Sequence, residues 1–469
     1  MHSPAPALSG KKVTVVGLAK SGLAAARLCL REGAEVTITD ARTEEALRGA
    51  LAPGAFEALA GARRTLGGHD LADFEGADLV VVSPGVPMAM AELQAARRKG
   101  VPVWGEIELG WRFLPPGTPV VGITGTNGKS TTTALTGALV GAHRTTFTGG
   151  NLGTPLCLHV LEGDPRAAVV LELSSFQLEG VERFRAQVAA ILNVTPDHLD
   201  RYPSFDAYAA AKGALFATQQ PGDLAVANAR DERAMGLAGA TRGARLTFGF
   251  GPAAEEAARC PDGDPGASGT PISFRRAGGP RESYLLKNVA LRGRHNRENA
   301  MAAILCARLA GTPPAAVQAG LDAFPGLPHR LERVALGRGV EWVNDSKATN
   351  VDSTSVGLAA FPPGQPRVVL IMGGRGKGSP YAPLRPLFSG RVKALLTIGE
   401  DAPAVERELG ELAPTESCHT LAGAAQRAAA LAGPGDVVLL SPACASYDQF
   451  SNYEERGEAF RRLAAELSR

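Results

Sequence analysis

The chain has 469 residues, 45% of them hydrophobic and 20% charged, with a formal net charge of +2. That length exceeds what one hydrophobic core organises, so two or three domains are expected. The near-neutral balance gives no bulk attraction to nucleic acid or anionic membrane, and no apolar run approaches the ~20 residues of a membrane span. Cys29, Cys157, Cys260, Cys306, Cys418 and Cys444 are scattered, with no CxxC pair and no zinc spacing. Reduced, buried thiols in a cytoplasmic protein are the expectation. The start, Met1-His-Ser-Pro-Ala-Pro6, lacks the charged and apolar regions of a secretory leader.

Short apolar runs alternate with helical patterns from the beginning. Val13–Leu18, Glu35–Asp40 and Asp78–Ser83 read as strands, with the amphipathic Ala24–Glu32 after the first. The turn Gly17-Leu-Ala19-Lys-Ser-Gly22 resembles a dinucleotide fingerprint, but Ala19 replaces the glycine that lets backbone approach a pyrophosphate. A standard NAD site is therefore disfavoured. Asp40 ends the second strand, where a ribose-binding acid sits in such folds; a tight turn with a solvated Asp fits the residues equally well. Ser83-Pro-Gly85 closes the third strand and offers polar groups to the same ligand.

Pro115-Pro-Gly117 marks a linker, and the rhythm resumes at Pro119–Gly125, Ala167–Leu173, Ala189–Thr195 and Asp223–Asn228. The first of these strands runs into Gly125-Thr-Asn-Gly-Lys129-Ser-Thr131 and then a helical stretch. Glycines there let backbone N–H groups close around phosphate oxygens, and the helix N-terminus adds a favourable dipole. Lys129 is placed to reach the β/γ-phosphates, and a Ser130 or Thr131 hydroxyl to ligate Mg²⁺. The strict Walker spacing puts its first glycine at Ile123, flanked by Gly122 and Gly125, so the match is loose. Glu172 ends a buried strand, a costly position unless it meets a cation or donors. Asn193-Val-Thr-Pro-Asp-His198 follows another strand, and His198 beside a metal site is as plausible as a structural histidine. Lys212, in the Ala-rich Tyr208-Ala-Ala-Ala-Lys212, reads locally as a solvated helix lysine.

Gly249–Arg281 is rich in Gly, Pro and Ala with little periodicity and reads as an exposed loop or edge hairpin. Phe324-Pro-Gly-Leu-Pro328 marks a second linker. Val340–Asn344, Arg367–Gly373, Ala394–Gly399 and Asp436–Ser441 are the last strands, each followed by a polar cluster. Gly373-Gly-Arg-Gly-Lys377-Gly is a second glycine-rich turn suited to a carboxylate or phosphate. The fold class is α/β, with three domains of open, mostly parallel sheets: Rossmann-like over 1–107, P-loop-type over 108–326 and Rossmann-like over 327–469.

Gly125–Thr131, Glu172-Leu-Ser-Ser-Phe-Gln177, Asn193–His198, Gly293-Arg-His-Asn296-Arg-Glu-Asn299 and Leu327-Pro-His-Arg330 together resemble the Mur ligases. Asn344-Asp-Ser-Lys-Ala-Thr-Asn350 and Ser441-Pro-Ala-Cys-Ala-Ser446 are similar to the members that add D-glutamate. The resemblance implies ATP-dependent amide formation on UDP-N-acetylmuramoyl-L-alanine in peptidoglycan precursor synthesis, through an acyl phosphate, by a monomer. It implies that Gly125, Thr126, Asn127, Gly128, Lys129, Ser130 and Thr131 hold ATP, with Asn296, Asn299, Arg330 and Asp345. It implies two Mg²⁺ sites, one at Ser130 or Thr131 and Glu172, the other at His198 and a carbamate on Lys212, against the local reading of that lysine. Lys129, His198 and Lys212 are then the catalytic residues. Leu18, Ala19, Asp40, Arg42, Ser83, Gly85, Asn151, Ser174, Gln177 and His198 map to the UDP-sugar site, and Thr349, Lys377, Ser446 and Tyr453 to D-glutamate. Tyr453 stands where the family often has Phe, and Lys20 could add a cation near the diphosphate. A related ligase, such as a folylpolyglutamate synthase or one adding another amino acid, shares the phosphate turn. A non-enzymatic nucleotide switch needs that turn but neither Glu172 nor the C-terminal clusters.

Overall fold

The computed structural model describes residues 5–198, 201–251, 257–260, 271–276, 279–288 and 291–469. Among them, three sheets follow one another along the chain. Their central strands are runs such as Leu79–Val82, Val120–Thr124 and Val368–Gly373, in which every residue is buried. Strands buried on both faces need apolar residues without alternation, and β-branched side chains suit the pleat.

The first sheet contains β1 (Lys12–Val16), β2 (Glu35–Asp40), β3 (Arg63–Leu66), β4 (Leu79–Val82) and β5 (Val103–Gly105), all parallel, in the order β3-β2-β1-β4-β5. Helix Lys20–Arg31 starts directly after the β1 turn. A Cβ on Gly22 would lie 1.9 Å from the Gly17 carbonyl oxygen, so only glycine lets the helix pack this close.

The second sheet is built from β6 (Val120–Thr124), β7 (Thr146–Gly150), β8 (Ala168–Glu172), β9 (Val188–Ile191), β10 (Leu224–Asn228), β11 (Ala244–Phe250), β12 (Ala257–Cys260), β13 (Ile272–Arg275) and β14 (Glu282–Tyr284). Its order is β14-β13-β12-β11-β10-β9-β6-β8-β7. The pairings of β13 are antiparallel, so the described part of 249–281 is an edge meander; the rest of that stretch lies outside the described residues. The third sheet holds β15 (Glu332–Gly337), β16 (Val340–Asn344), β17 (Val368–Gly373), β18 (Val392–Ile398), β19 (Thr415–His419) and β20 (Val437–Leu440), ordered β15-β16-β20-β17-β18-β19, with β15 antiparallel to β16.

By packing, the chain divides into two compact units: one carries the first two sheets, the other the third. The first two sheets share a unit because helices Glu106–Arg112 and Leu156–Glu162 pack on helix Lys20–Arg31. Cys157, 0% exposed, belongs to the apolar core under the first sheet. Glu108 reinforces the junction. It is fully buried and accepts from the backbone N–H groups of Glu182, Arg183 and Phe184 at 2.8, 3.0 and 2.8 Å, with Arg112 at 2.7 Å on its other oxygen. A buried carboxylate stabilises only when satisfied on this scale. Among the described residues, no helix is long and apolar enough to cross a membrane.

Candidate active site

β6 delivers the chain to the glycine-rich loop, and helix Lys129–Gly141 leaves it. Gly128 has φ +84°, and a Cβ there would come within 2.4 Å of Asn299 Oδ1, so both conformation and space require glycine. Asn193, at the end of the neighbouring β9, clamps the loop. Its Oδ1 accepts from the N–H groups of Thr126 (3.1 Å) and Asn127 (2.7 Å), and its Nδ2 donates to the Asn127 carbonyl (3.0 Å). Thr132 donates to Asn299 Oδ1 at 3.3 Å, which places Asn299 against the same loop. Asn296 donates to the Arg292 carbonyl at 3.1 Å. Lys129 Nζ folds back on the loop, donating to the carbonyls of Gly125 (2.9 Å) and Thr126 (2.8 Å). Ser130 and Thr131 are half-buried in the first helical turn, where the dipole favours an anion.

Lys212 is not the solvated lysine its Ala-rich surroundings suggest. It is 1% exposed, and its Nζ donates to the same Gly125 carbonyl at 2.9 Å, with the Tyr208 ring centroid 4.5 Å away. Burial first, and then the charge of Lys129, pull its pKa down to about 7, against a smaller opposing pull from Asp197. Tyr208 ties this helix to the loop through a 3.1 Å hydrogen bond between its hydroxyl and Thr126 Oγ1. His198 completes the group. Its backbone is left-handed (φ 52°), its side chain is 46% exposed, and its ring packs 4.9 Å from Phe176 and 6.2 Å from Tyr208.

Glu172 lies at the end of β8, paired with Ile123 of β6, and is 2% exposed. Its Oε1 accepts from Asn151 Nδ2 at 2.6 Å; its Oε2 is buried and finds no partner among the described residues. Such an orphan oxygen costs free energy unless a cation meets it. Among the described residues, no three His, Cys, Asp or Glu side chains converge as a preformed metal cage. The orphan oxygen fits Mg²⁺, which takes one or two carboxylates and completes its shell with substrate phosphates and water. Glu172→Gln removes a buried charge, so the ligand-free protein is expected to melt no lower than wild type. The stabilisation by ATP with Mg²⁺ is expected to fall severalfold. Thermal melts with and without MgATP check this, and a full MgATP shift in the variant contradicts the assignment.

The same unit holds a cavity of ≈ 640 Å³. Leu18, Ala19, Asp40, Arg42, Ser83, Gly85, Asn151 and Gln177, all among the residues mapped to the UDP-sugar, line it together, and so do Lys20 and His69, the latter not anticipated. Ser174 and His198 are not among its lining residues. Ser174 instead caps a helical turn: its Oγ accepts from Gln177 N at 3.2 Å, while Gln177 Oε1 accepts from Ser174 N at 3.0 Å. Asp40 is 5% exposed, so it is not the solvated turn residue of the second alternative; it lines the cavity and shapes the turn. Its oxygens accept from Leu18 N (2.7 Å) and from the Arg42 fork (3.0 and 2.8 Å). Burial works against its charge, but the Arg42 and Leu18 hydrogen bonds prevail and hold its pKa at about 2. Asn151 matters most, because it lines the cavity and also holds Glu172. The cavity and the orphan carboxylate are thus one hydrogen bond apart.

In the other unit, the turn over Gly373–Gly378 and the Ser441–Ser446 segment are joined by reciprocal backbone hydrogen bonds between Arg375 and Ala445, 2.9 and 3.0 Å. Around them, Lys377 is exposed, Thr349 half-buried and Ser446 buried. Tyr453 Oη accepts from Lys347 Nζ at 2.7 Å, an interaction that Phe cannot make. Asp345 is buried and satisfied from within, accepting from Ser441 Oγ (2.8 Å) and Leu331 N (3.2 Å); burial raises its pKa to about 7. It pins the strap around Arg330, whose neighbours His329 and Leu331 are both left-handed, at φ 61° and 44°. Arg456 was not anticipated from sequence. It is 1% exposed and donates to Ser346 Oγ (3.0 Å) and to the carbonyls of Ser346 (2.9 Å), Cys444 (3.1 Å) and Ala445 (3.3 Å), stapling the polar loops together.

Family models match along almost the whole chain: Mur ligase MurD-like, N-terminal domain, over residues 11–105; Mur ligase middle domain over 123–307; and Mur ligase, glutamate ligase domain, over 329–444. The chain belongs to the Mur ligase family and is an ATP-dependent ligase. Within the family it is 74% identical over 466 residues, 99% of this chain and 100% of the relative, to the UDP-N-acetylmuramoylalanine–D-glutamate ligase of Anaeromyxobacter dehalogenans. It is 54% identical over 98% of its length, and 99% of the relative's, to the protein of the same name from Myxococcus xanthus. Solved structures with the same fold include UDP-N-acetylmuramate–alanine ligase MurC from Thermotoga maritima, with TM-score 0.57, 21% identity and 97% and 98% of the two chains covered. MurF from Acinetobacter baumannii gives TM-score 0.59 at 20% identity, over 83% and 85%.

Proposed function

We propose that the chain joins D-glutamate to the L-alanine carboxylate of UDP-N-acetylmuramoyl-L-alanine, with ATP converted to ADP and phosphate, in the cytoplasm. The observation that carries the reading is the chain of contacts from the cavity through Asn151 to Glu172, beside the loop on which Lys129 and Lys212 meet. Full-length identity of 74% to a ligase of that name supports the choice of substrates. In this reading 1–107 binds the UDP-sugar, 108–326 binds ATP and 327–469 binds the amino acid, a division that contains the three family-model matches.

A carboxylate is a poor acylating agent because its leaving group is oxide. The γ-phosphoryl of ATP moves first onto the alanine carboxylate. The neutral amine of D-glutamate then attacks the acyl phosphate, a tetrahedral intermediate collapses, and phosphate leaves. Two anions meet in the first step, so charge compensation sets the barrier. Lys129 and the loop N–H groups from Gly125 to Thr131 bind the phosphates, with Asn299 behind the loop and Asn296, Arg330 and Asp345 assigned to the nucleotide. Ser130 or Thr131 with Glu172 would hold one Mg²⁺, and His198 with a Lys212 carbamate would hold the second; the ions would supply charge screening of the phosphates and polarisation of the transferred group. Thr349, Lys377, Ser446 and Tyr453 bind D-glutamate, and Lys347 orients Tyr453.

The carbamate on Lys212 is what the family resemblance implies, and the burial of its amine supports it. A neutral amine attacks CO₂, forming an N–C bond and releasing one proton, and an amine with a pKa of about 7 is substantially neutral at physiological pH. The product reverses the sign of a charge that otherwise repels Lys129. An amino-acid panel with ATP and UDP-N-acetylmuramoyl-L-alanine, read by phosphate release, tests the whole reading. Release with D-glutamate and not L-glutamate is expected; release with another amino acid or with a folate acceptor overturns it.

A further inference from the structure

Arg201 is claimed neither by the phosphate loop nor by the cavity lining, yet it touches the surroundings of both. Its Nη1 donates to the Gly85 carbonyl at 3.3 Å and its Nη2 to the Val86 carbonyl at 3.1 Å, and both residues form the rim of the cavity. Nη2 also meets Glu179 Oε2 at 3.3 Å, so the cation is neutralised where it stands. Its guanidinium carbon lies 4.0 Å from the centroid of Phe176. The His198 ring packs on that same phenyl ring. The backbone N–H groups of Arg201 and Tyr202 both donate to the His198 carbonyl, at 3.0 and 3.1 Å, fixing the left-handed turn on which the imidazole is mounted.

A guanidinium suits this place because it is planar. It stacks on a ring with one face while its edge donates to two carbonyls and a carboxylate. An ammonium does one of these things at a time. With its fork occupied by protein acceptors and its side chain only 16% exposed, Arg201 acts through its neighbours and not on a ligand. We propose that Arg201 is a positioning residue that couples filling of the sugar-nucleotide cavity to the placement of the His198 imidazole beside the phosphate loop. The proposal rests on the reading of that cavity and of His198 given above.

The test compares wild type, Arg201→Lys and Arg201→Met by steady-state kinetics and by NMR of ¹⁵N-histidine-labelled protein, with the His198 resonance assigned from His198→Gln. Adding UDP-N-acetylmuramoyl-L-alanine to wild type is expected to move the His198 ring resonance. In both variants, at saturating ligand, the resonance is expected to stay near its free position. KM for the sugar nucleotide is expected to rise and kcat to fall, each about tenfold, with KM for ATP within about twofold of wild type. Arg201→Lys is expected to restore little. A His198 resonance that moves in the variants as in wild type overturns the coupling. So does an equal rise in every KM together with a lowered Tm, which marks a structural role only. Absence of D-glutamate-dependent turnover in wild type overturns the reading of the reaction instead, and the NMR comparison still decides the coupling.

Discussion

Lys129→Ala is expected to lower kcat/KM by about a thousandfold or more, with the fold intact. The lysine ends on two loop carbonyls at 2.9 and 2.8 Å, so its ammonium is held against the glycine-rich loop to which the phosphates are assigned. Charge compensation built into the site needs no reorganisation during transfer, and removing one such group from a phosphoryl or acyl transition state costs about 10²–10³ in rate. Here the expected cost is larger, because in the proposed reaction Lys129 also offsets the repulsion between ATP and the incoming carboxylate. Its side chain is half-buried and the loop is independently clamped by Asn193, so the variant should melt close to wild type. Phosphate release measured alongside a thermal melt checks both halves. Turnover within tenfold of wild type contradicts the assignment of the loop.

Lys212→Ala is expected to lose activity by about a hundredfold or more and to regain at least tenfold of it with millimolar formate or acetate. The space left by the side chain adjoins the loop, and a small carboxylate there supplies the charge that a carbamate would. The pH dependence has a definite sign. The folded-state pKa of about 7 lies below the model value of 10.5, so the unfolded chain binds more protons between them. Below about 7 the full cost of burying the ammonium is present, and it fades as pH rises toward 10.5. Unmodified protein in CO₂-depleted buffer therefore gains stability across that window, and Lys212→Ala lacks this gain. Melting curves across pH, with and without bicarbonate, measure it. A flat difference between wild type and variant, or no rescue by either acid, counts against a buried amine that accepts CO₂.

The strand–loop–helix layout at Gly125–Thr131 was legible because its signals are local: glycines, a lysine and a helix start lie within seven consecutive residues. Lys212 was not, because its helix is Ala-rich and carries no charge pattern that marks an inward face. The burial comes from Tyr208, one turn away, and from the loop packed over it, whose Gly125 lies 87 residues away in sequence. Asp345 reads from its motif as a nucleotide contact, and its hydrogen bonds from Ser441 and Leu331 come from partners that no sequence spacing reveals. Arg456 sits in helix Tyr453–Leu467 among other charged residues and looks like one more solvated arginine. Ser174 and Gln177 carry a capping box that could have been read from their i, i+3 spacing. Of the strands, the buried central ones stood out as apolar runs. The edge strands β3 and β19, Arg63-Arg-Thr-Leu66 and Thr415-Glu-Ser-Cys-His419, are polar and partly exposed and gave no such signal. The pairing of the first two sheets in one unit was likewise invisible, because it depends on two short helices that meet only in the folded chain.

The central claim is that ATP activates the alanine carboxylate before nitrogen arrives. UDP-N-acetylmuramoyl-L-alanine labelled with ¹⁸O in that carboxylate, turned over with ATP and D-glutamate, tests it in one mass spectrum of the released phosphate. One labelled oxygen per phosphate is the predicted result; unlabelled phosphate, with the expelled carboxylate oxygen appearing as labelled water, contradicts it.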